Sequence, residues 1–360
     1  MIEFDAWLEH GPYAFERQEK REHLLQRLRK LTEHHQEHCE PYRNILQGLG
    51  CDVSQLQQPE DIPFLPVSLF KTLTLKSVPD EEVVKTMTSS GTTGQAVSRI
   101  FLDKMTAARQ QKTLVRIVSH FTGAGRLPML ILDTPAVMKD RNMFSARGAG
   151  ILGFSMFGSD RCWALTDTMA LDIDGITAFL ERHQGKPILL FGFTFMVWQH
   201  FYQALKESGV KLDLANGILI HGGGWKKLQS QAVSASAFAD ALHSVCGLTK
   251  VYDYYGMVEQ TGCIYMQCEH GHLHASIFSD VIVRDPLDLS PCPHGKPGII
   301  QVLSTLPESY PGHSLLTEDE GVVLGEDDCS CGRAGKYFRI IGRLKNAEIR
   351  GCSDTYAADF

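Results

Sequence analysis

The chain lacks any apolar run near the ~18 residues that a membrane helix needs; the longest stretch, 187–197, stops well short. A helical span is therefore not expected. The first ten residues hold no basic cluster ahead of an apolar core, so no secretory signal is expected either. Positive charge is in deficit: 35 Lys and Arg against 42 Asp and Glu give a net charge of −7. No global basic field exists to recruit nucleic acid or anionic lipid. Internal repeats and low-complexity tracts are absent. Also missing are a Gly-Lys-Ser/Thr phosphate loop and a Gly-x-Ser-x-Gly elbow, which argues against P-loop NTPases and serine hydrolases.

What is present is ordinary for a globular enzyme. Hydrophobic residues make up 43% and charged residues 21% of 360, enough for a substantial core and two or three domains. Ten cysteines without an export signal read as reduced thiols in a cytoplasmic protein. Any special cysteine is then a metal ligand or a nucleophile.

Residues 16–39 are highly charged, yet Leu24, Leu25, Leu28 and Leu31 recur at helical spacing, which predicts a helix with one narrow apolar stripe and a solvated charged face. Pro59, Pro63 and Pro66 then predict an extended segment. Strands are expected at 83–88 and 97–102, followed by a helix over 106–121. Short apolar strands at 128–132, 188–191, 218–220 and 251–254 alternate with helices, one of them running from Gly192 to Lys206. This is the texture of an α/β body with functional loops at strand ends. After Gly271, strands at 277–283, 298–303, 321–324 and 337–341 predict a β-rich subdomain. The expected division is a helical segment over 1–80, an α/β nucleotide-binding body over 81–270, the β-rich subdomain over 271–345, and a mobile tail over 346–360.

Thr88-Ser89-Ser90-Gly91-Thr92-Thr93-Gly94 carries most of the chemistry. Gly91 and Gly94 permit close backbone approach, and the hydroxyls and amides around them can donate several bonds to a polyphosphate. The bland alternative is a polar hairpin turn. Gly148-Ala149-Gly150-Ile151-Leu152-Gly153 formally fits a dinucleotide fingerprint, but polar residues precede it where a strand is required.

Three further segments follow in order: Tyr255-Gly256-Met257-Val258-Glu259, Leu316-Thr317-Glu318-Asp319, and Gly342-Arg343. With residues 89–94 they resemble the phosphate loop, Tyr-Gly-x-Thr-Glu, Thr-Gly-Asp and hinge motifs of the adenylate-forming superfamily. Within it the chain is most similar to the acyl-protein synthetases that supply fatty acyl groups in bacterial bioluminescence. The added points of likeness are His221-Gly222-Gly223-Gly224-Trp225-Lys226, the compact length, and Arg350-Gly351-Cys352-Ser353-Asp354. It is less similar to phenylacetate–CoA ligases.

The resemblance implies an adenylate-forming α/β fold without the usual mobile C-terminal domain. It further implies that Ser89, Ser90, Gly91, Thr92, Thr93 and Gly94 hold the β,γ-phosphates of ATP. Gly222, Gly223 and Gly224 would line the adenine, with Tyr255 and Gly256 beside it. Glu259 would hold Mg²⁺, a role its hard oxygens suit. Asp319 would accept both ribose hydroxyls, with Arg343 nearby. The sequence departs from the family at Val258, Glu318 and Asn346, and it has Gln95-Ala96-Val97-Ser98-Arg99 where Gly-x-Pro-Lys is usual. The catalytic Lys of the missing domain is absent, so Arg99 or Lys226 is assigned the cationic role.

Cys352 sits on a polar tail, where an untethered thiol can swing between an acyl-adenylate and a partner. The bland alternative is an incidental exposed cysteine, and the family resemblance implies an acyl carrier. Cys268, His274, Cys329 and Cys331 read as a tetrahedral Cys₃His zinc site, with similar pairs in phenylacetate–CoA ligases. His270, His272 and Cys263 are alternative ligands, and scattered thiols the alternative to a site. Phe191, Phe193, Phe195, Met196, Trp198 and Trp225 read as core, with the wall of an acyl pocket as the alternative. The function expected is ATP-dependent activation of a fatty acid, then transfer through Cys352 to an acyl reductase or other acceptor. The rivals are a CoA ligase, a carrier-loading synthetase, and a non-catalytic nucleotide-binding scaffold.

Overall fold

The computed structural model describes residues 4–89, 97–139 and 146–344. The chain divides into two compact units: Met1–Phe121 with Gly256–Met266 and His272–Ile349, and Thr122–Tyr255 with the turn Gln267–Gly271.

The first unit begins with the helix Arg17–His38. Leu24, Leu28 and Leu31 form the expected stripe, fully buried against Trp7, Phe15, Phe278, Ile282, Leu303 and Leu306. The charged face is not wholly solvated, and this corrects the reading from composition. Lys20 is 2% exposed and His35 is buried outright. Lys20 Nζ donates to the Ala275 carbonyl at 3.0 Å and lies 3.7 Å from Asp280 Oδ1. Lys336 Nζ donates to the other Asp280 oxygen at 2.8 Å. A buried lysine survives because its charge is paired and bonded, and these partners lie 255 or more residues along the chain.

Strand β1 (Leu65–Pro66) follows. Then β2 (Lys85–Thr88) and β3 (Arg99–Leu102) form a two-stranded antiparallel sheet with Thr88 opposite Arg99. The helix Lys104–Thr122 comes next.

In the second unit, β4 (Leu127–Ile131), β5 (Gly158–Trp163), β6 (Ile188–Phe193), β7 (Gly217–Gly222) and β8 (Lys250–Tyr255) are parallel, in the order β8-β7-β6-β4-β5. Every residue of β6 and β7 is buried, so their apolar runs need no alternation. Leu130, Leu190 and Leu219 pack with Phe179, Phe201, Phe238 and Leu242 of the helical layer. The helix Ala235–Cys246 starts where Ser234 Oγ accepts the Ala237 amide at 3.2 Å. Where one helix was expected after Gly192, a single turn at Thr194–Met196 leads into a π-helix, Val197–Tyr202, and then Gln203–Ser208. The glycine-rich stretch 148–153 lies within the helix Ala146–Phe154 and not on a strand-to-helix turn.

The first unit then resumes with β9 (Tyr265–Gln267), β10 (Leu273–His274), β11 (Ser279–Arg284), β12 (Gly298–Ser304), β13 (Ser314–Glu326) and β14 (Lys336–Arg343). Their order is β11-β12-β13-β14-β10-β9, with β1 lying parallel on β13. The β-rich texture expected after Gly271 is present. The strand expected at 321–324 is the end of the 13-residue β13, which also contains Leu316, Thr317, Glu318 and Asp319. No helix among the described residues is long and apolar enough to cross a membrane.

Candidate functional site

In the first unit, Ser89 and Ser98 close the hairpin that carries the glycine-rich loop. The Ser89 amide donates to the Ser98 carbonyl at 3.1 Å, and the Ser98 amide donates to Ser89 Oγ at 2.9 Å. Ser98 is fully buried. The loop therefore joins two strands, as its sequence predicts, and its ends are pinned. Ser90, Gly91, Thr92, Thr93 and Gly94 lie outside the described residues. Arg99 is exposed on β3, with Nη2 3.5 Å from Thr74 Oγ1.

Glu259 lies on the short turn Val258–Gln260 and is fully buried. Its carbonyl accepts from the Tyr310 hydroxyl at 2.9 Å. The neighbouring Gln260 Nε2 donates to the carbonyls of Gly312 at 2.8 Å and Val302 at 3.2 Å. Gly262 has φ +93°, and a Cβ there would stand 2.7 Å from Gln110 Cα, so only glycine lets this turn close onto the helix Lys104–Thr122.

Asp319 and Arg343 are cross-strand partners on β13 and β14. Arg343 Nε is 3.5 Å from Asp319 Oδ1, and Arg343 Nη2 donates to Glu318 Oε2 at 3.0 Å. Glu318, which stands where the family motif has Gly, thus supplies a second carboxylate to Arg343.

In the second unit, Gly222 ends β7 and Gly223 has φ +80°. A Cβ on Gly222 would lie 2.6 Å from the Tyr254 ring, and one on Gly223 would lie 2.5 Å from the Phe193 ring. Side chains are excluded from this bend. Gly224 follows, and Lys226 opens the 3₁₀ segment Lys226–Gln231. Tyr255 is the last residue of β8 and lies in this unit, whereas Gly256 opens the next stretch of the first. Phe191, Phe193, Phe195, Met196 and Trp198 are buried, and Trp225 stacks edge-on against Trp198 at 5.2 Å, so these residues are core.

Sequence reasoning did not assign two groups at the carboxyl ends of these strands. His221, at the end of β7, has Nδ1 3.0 Å from Thr194 Oγ1, which itself donates to the Gly222 carbonyl at 3.1 Å. The threonine proton is thereby committed, so Nδ1 carries the imidazole proton. Burial pushes the His221 pKa down to about 3. Just past β4, Asp133 binds Arg147 in a fully buried two-point pair, at 2.6 and 3.0 Å. His221 opens the His221–Lys226 stretch noted in the sequence without a role of its own, and no short motif signals Asp133 or Arg147.

The metal quartet assembles. Cys268, His274, Cys329 and Cys331 each offer a ligand atom, all within 4.8 Å of one another. Tetrahedral zinc with bonds of ~2.0–2.3 Å would set such atoms roughly 3.5–3.8 Å apart, within reach of a small local adjustment. Both cysteine turns have the same construction. Gly271 donates to the Cys268 carbonyl and Gly332 to that of Cys329, each at 2.9 Å, with positive φ at both glycines. The His270 amide points at Cys268 Sγ from 3.4 Å. Burial raises the Cys331 thiol pKa, but hydrogen bonds from Arg333 and Cys329 outweigh it and leave the thiol below its ordinary range. His272 Nδ1 approaches Cys329 Sγ at 3.4 Å, beside the quartet. Cys263 is instead bonded to Ser304 Oγ at 3.2 Å. Cys352 lies outside the described residues.

A family model described as acyl-protein synthetase, LuxE, matches residues 3–360. A long-chain-fatty-acid–luciferin-component ligase of Vibrio harveyi is 26% identical over 364 residues, covering 95% of this chain and 89% of the relative. Its namesake from Aliivibrio fischeri is 24% identical over 351 residues, with the same coverage of both chains. Among solved structures, an open conformation of 2-hydroxyisobutyryl-CoA ligase superposes with a TM-score of 0.68 at 18% identity, covering 94% of this chain and 79% of that one. The thioesterification state gives 0.66 at 19%, covering 90% and 68%. The fold is that of the adenylate-forming ligases. With all but its first two residues inside the family match, the chain belongs to the LuxE acyl-protein synthetase family.

Proposed function

We propose that this chain is an ATP-dependent ligase that activates a long-chain fatty acid. The acid's carboxylate oxygen attacks the α-phosphorus, giving acyl-AMP and releasing pyrophosphate. The Cys352 thiolate then attacks the acyl carbon and expels AMP, leaving a thioester for delivery to an acceptor protein such as an acyl reductase. The observation that carries this reading is the match to acyl-protein synthetases along residues 3–360, together with fatty-acid ligases as relatives over 95% of the chain.

The residues fit ATP and Mg²⁺. The loop 89–94 is assigned to the phosphates, and its first residue Ser89 is held by Ser98. Asp319, held beside Arg343, offers a carboxylate to the ribose hydroxyls. The bend at Gly222, Gly223 and Gly224, packed at its first two glycines against the Tyr254 and Phe193 rings, is assigned to the adenine, with Tyr255 in the same unit. Glu259 supplies a carboxylate for Mg²⁺, which when bound would neutralise phosphate charge. Arg99 or Lys226 is the cation assigned to stand in for the missing catalytic Lys. Zinc is proposed at Cys268, His274, Cys329 and Cys331 in a structural role, since all four positions are filled by protein.

Acid-dependent exchange of radiolabelled pyrophosphate into ATP tests the first step. Exchange with long-chain fatty acids is expected, and its absence with every acid supplied would overturn the reading. Release of acyl-CoA in place of protein-bound acyl would make the chain a CoA ligase. ATP binding without exchange would make it a scaffold.

A further inference from the structure

We propose that Ser309 and Tyr310 form a positioning strut that ties the phosphate-loop hairpin to the turn bearing Glu259. The proposal deepens the site reading and rests on Glu259 being the Mg²⁺ carboxylate.

Ser309 and Tyr310 are adjacent in the connection between β12 and β13, and both are fully buried. Ser309 Oγ donates to the Phe101 carbonyl on β3 at 2.8 Å. Its amide donates to Thr106 Oγ1 at 3.2 Å, and its carbonyl accepts from the Ser77 amide at 2.8 Å. The hydroxyl of Ser309 thus holds the strand that returns from the phosphate loop, while its amide and carbonyl anchor it to the helix Lys104–Thr122 and to Ser77. The next residue faces the other partner. The Tyr310 hydroxyl donates to the Glu259 carbonyl at 2.9 Å and accepts from Gln110 Nε2 at 3.3 Å. Burial keeps this phenol protonated, so it remains a donor. Two residues later the Gly312 carbonyl accepts from Gln260 at 2.8 Å, fixing the same turn a second time.

Two neighbouring side chains therefore set the spacing between the element that grips phosphate and the element that offers a carboxylate to its metal. A site of this kind tolerates only ~0.5 Å of misplacement. None of these side chains needs to touch ATP; they act through the backbones of Phe101 and Glu259.

The test uses the full chain and calorimetric binding of ATP with and without Mg²⁺. The unaltered protein is expected to bind ATP more tightly with Mg²⁺ present. In Tyr310→Phe the Mg²⁺-dependent gain should shrink by about fivefold, the factor one net hydrogen bond is worth, with metal-free ATP affinity nearly unchanged. Ser309→Ala should shrink the same gain, and the double variant should lose less than the product of the two, because the residues act as one unit. An unchanged Mg²⁺-dependent gain in both single variants would overturn the proposal. If Tyr310→Phe does not fold, Gln110→Leu removes the second tether on the same hydroxyl and is read in the same way. Glu259→Gln separates the two levels. If it leaves the Mg²⁺ gain intact, the assignment of Glu259 fails; if it abolishes the gain while the strut variants do not change it, only the strut fails.

Discussion

His274 Nε2 stands 3.3 Å from Cys331 Sγ although 57 residues separate them in the chain. With Cys268 and Cys329 beside them, the pair forms a closed donor set of the type that holds zinc. The purified protein should contain one zinc per chain by elemental analysis. Cys329→Ala and His274→Ala should each lose most of it and lower the melting temperature, because metal binding at such a site is part of the folding free energy. A metal-free protein whose unfolding ignores chelators would refute the assignment.

Asp319 is held against Arg343 and is the carboxylate assigned to ribose. Replacing it with Ala removes a charge-assisted contact, so the Kd for ATP should rise roughly 10- to 100-fold. Affinity for the fatty acid should not change. Equal ATP binding by calorimetry in Asp319→Ala would place the ribose elsewhere.

Three buried histidines give the stability a pH dependence. Burial lowers the pKa of His221 and of His313 to about 3, and that of His35 well below its ordinary value. His35 and His313 stack at 5.1 Å, and His35 is fixed by Ser77 Oγ at 2.7 Å. The unfolded chain takes up these protons near pH 6.5, while in the folded chain His221 and His313 resist them until about pH 3. Stability is therefore complete above the unfolded value and falls as pH drops towards 3. From pH 7 to pH 5 His221 and His313 should each cost about 2 kcal/mol. Urea unfolding at the two pH values should show His313→Gln losing that share of the slope; an unchanged slope would contradict it.

The Asp133–Arg147 pair is enclosed in the second unit, and burial raises the Asp133 pKa in spite of the guanidinium beside it. Arg147→Ala should destabilise by about 3–5 kcal/mol, because the carboxylate is left buried and unpaired. Asp133→Ala combined with Arg147→Ala should recover part of that loss in denaturant unfolding. Additive losses would mean the two side chains do not depend on each other.

What the sequence reveals follows the range of each interaction. The strands at 188–191 and 218–220 are legible because a fully covered parallel strand must be apolar along its whole length. The metal quartet is legible because each cysteine turn carries its own glycine nearby. The strand Gly158–Trp163 is not, because Ser159, Asp160 and Arg161 are exposed and break any pattern. Lys20 is misread as solvated because Asp280 and Ala275 reach it from distant segments. The same holds for the Asp133–Arg147 pair and for the bond from Tyr310 to Glu259: short motifs name the residues that meet a ligand, while the groups that position them are placed by tertiary contacts.

On the proposed function, an activated fatty acid comes to rest on this chain's own Cys352. The direct measurement is incubation with radiolabelled long-chain fatty acid, ATP and Mg²⁺, followed by denaturing electrophoresis with and without neutral hydroxylamine. The intact chain should carry a label that hydroxylamine removes, and Cys352→Ser should carry none while still exchanging pyrophosphate into ATP. Undiminished labelling of Cys352→Ser would show that the acyl group does not rest on Cys352.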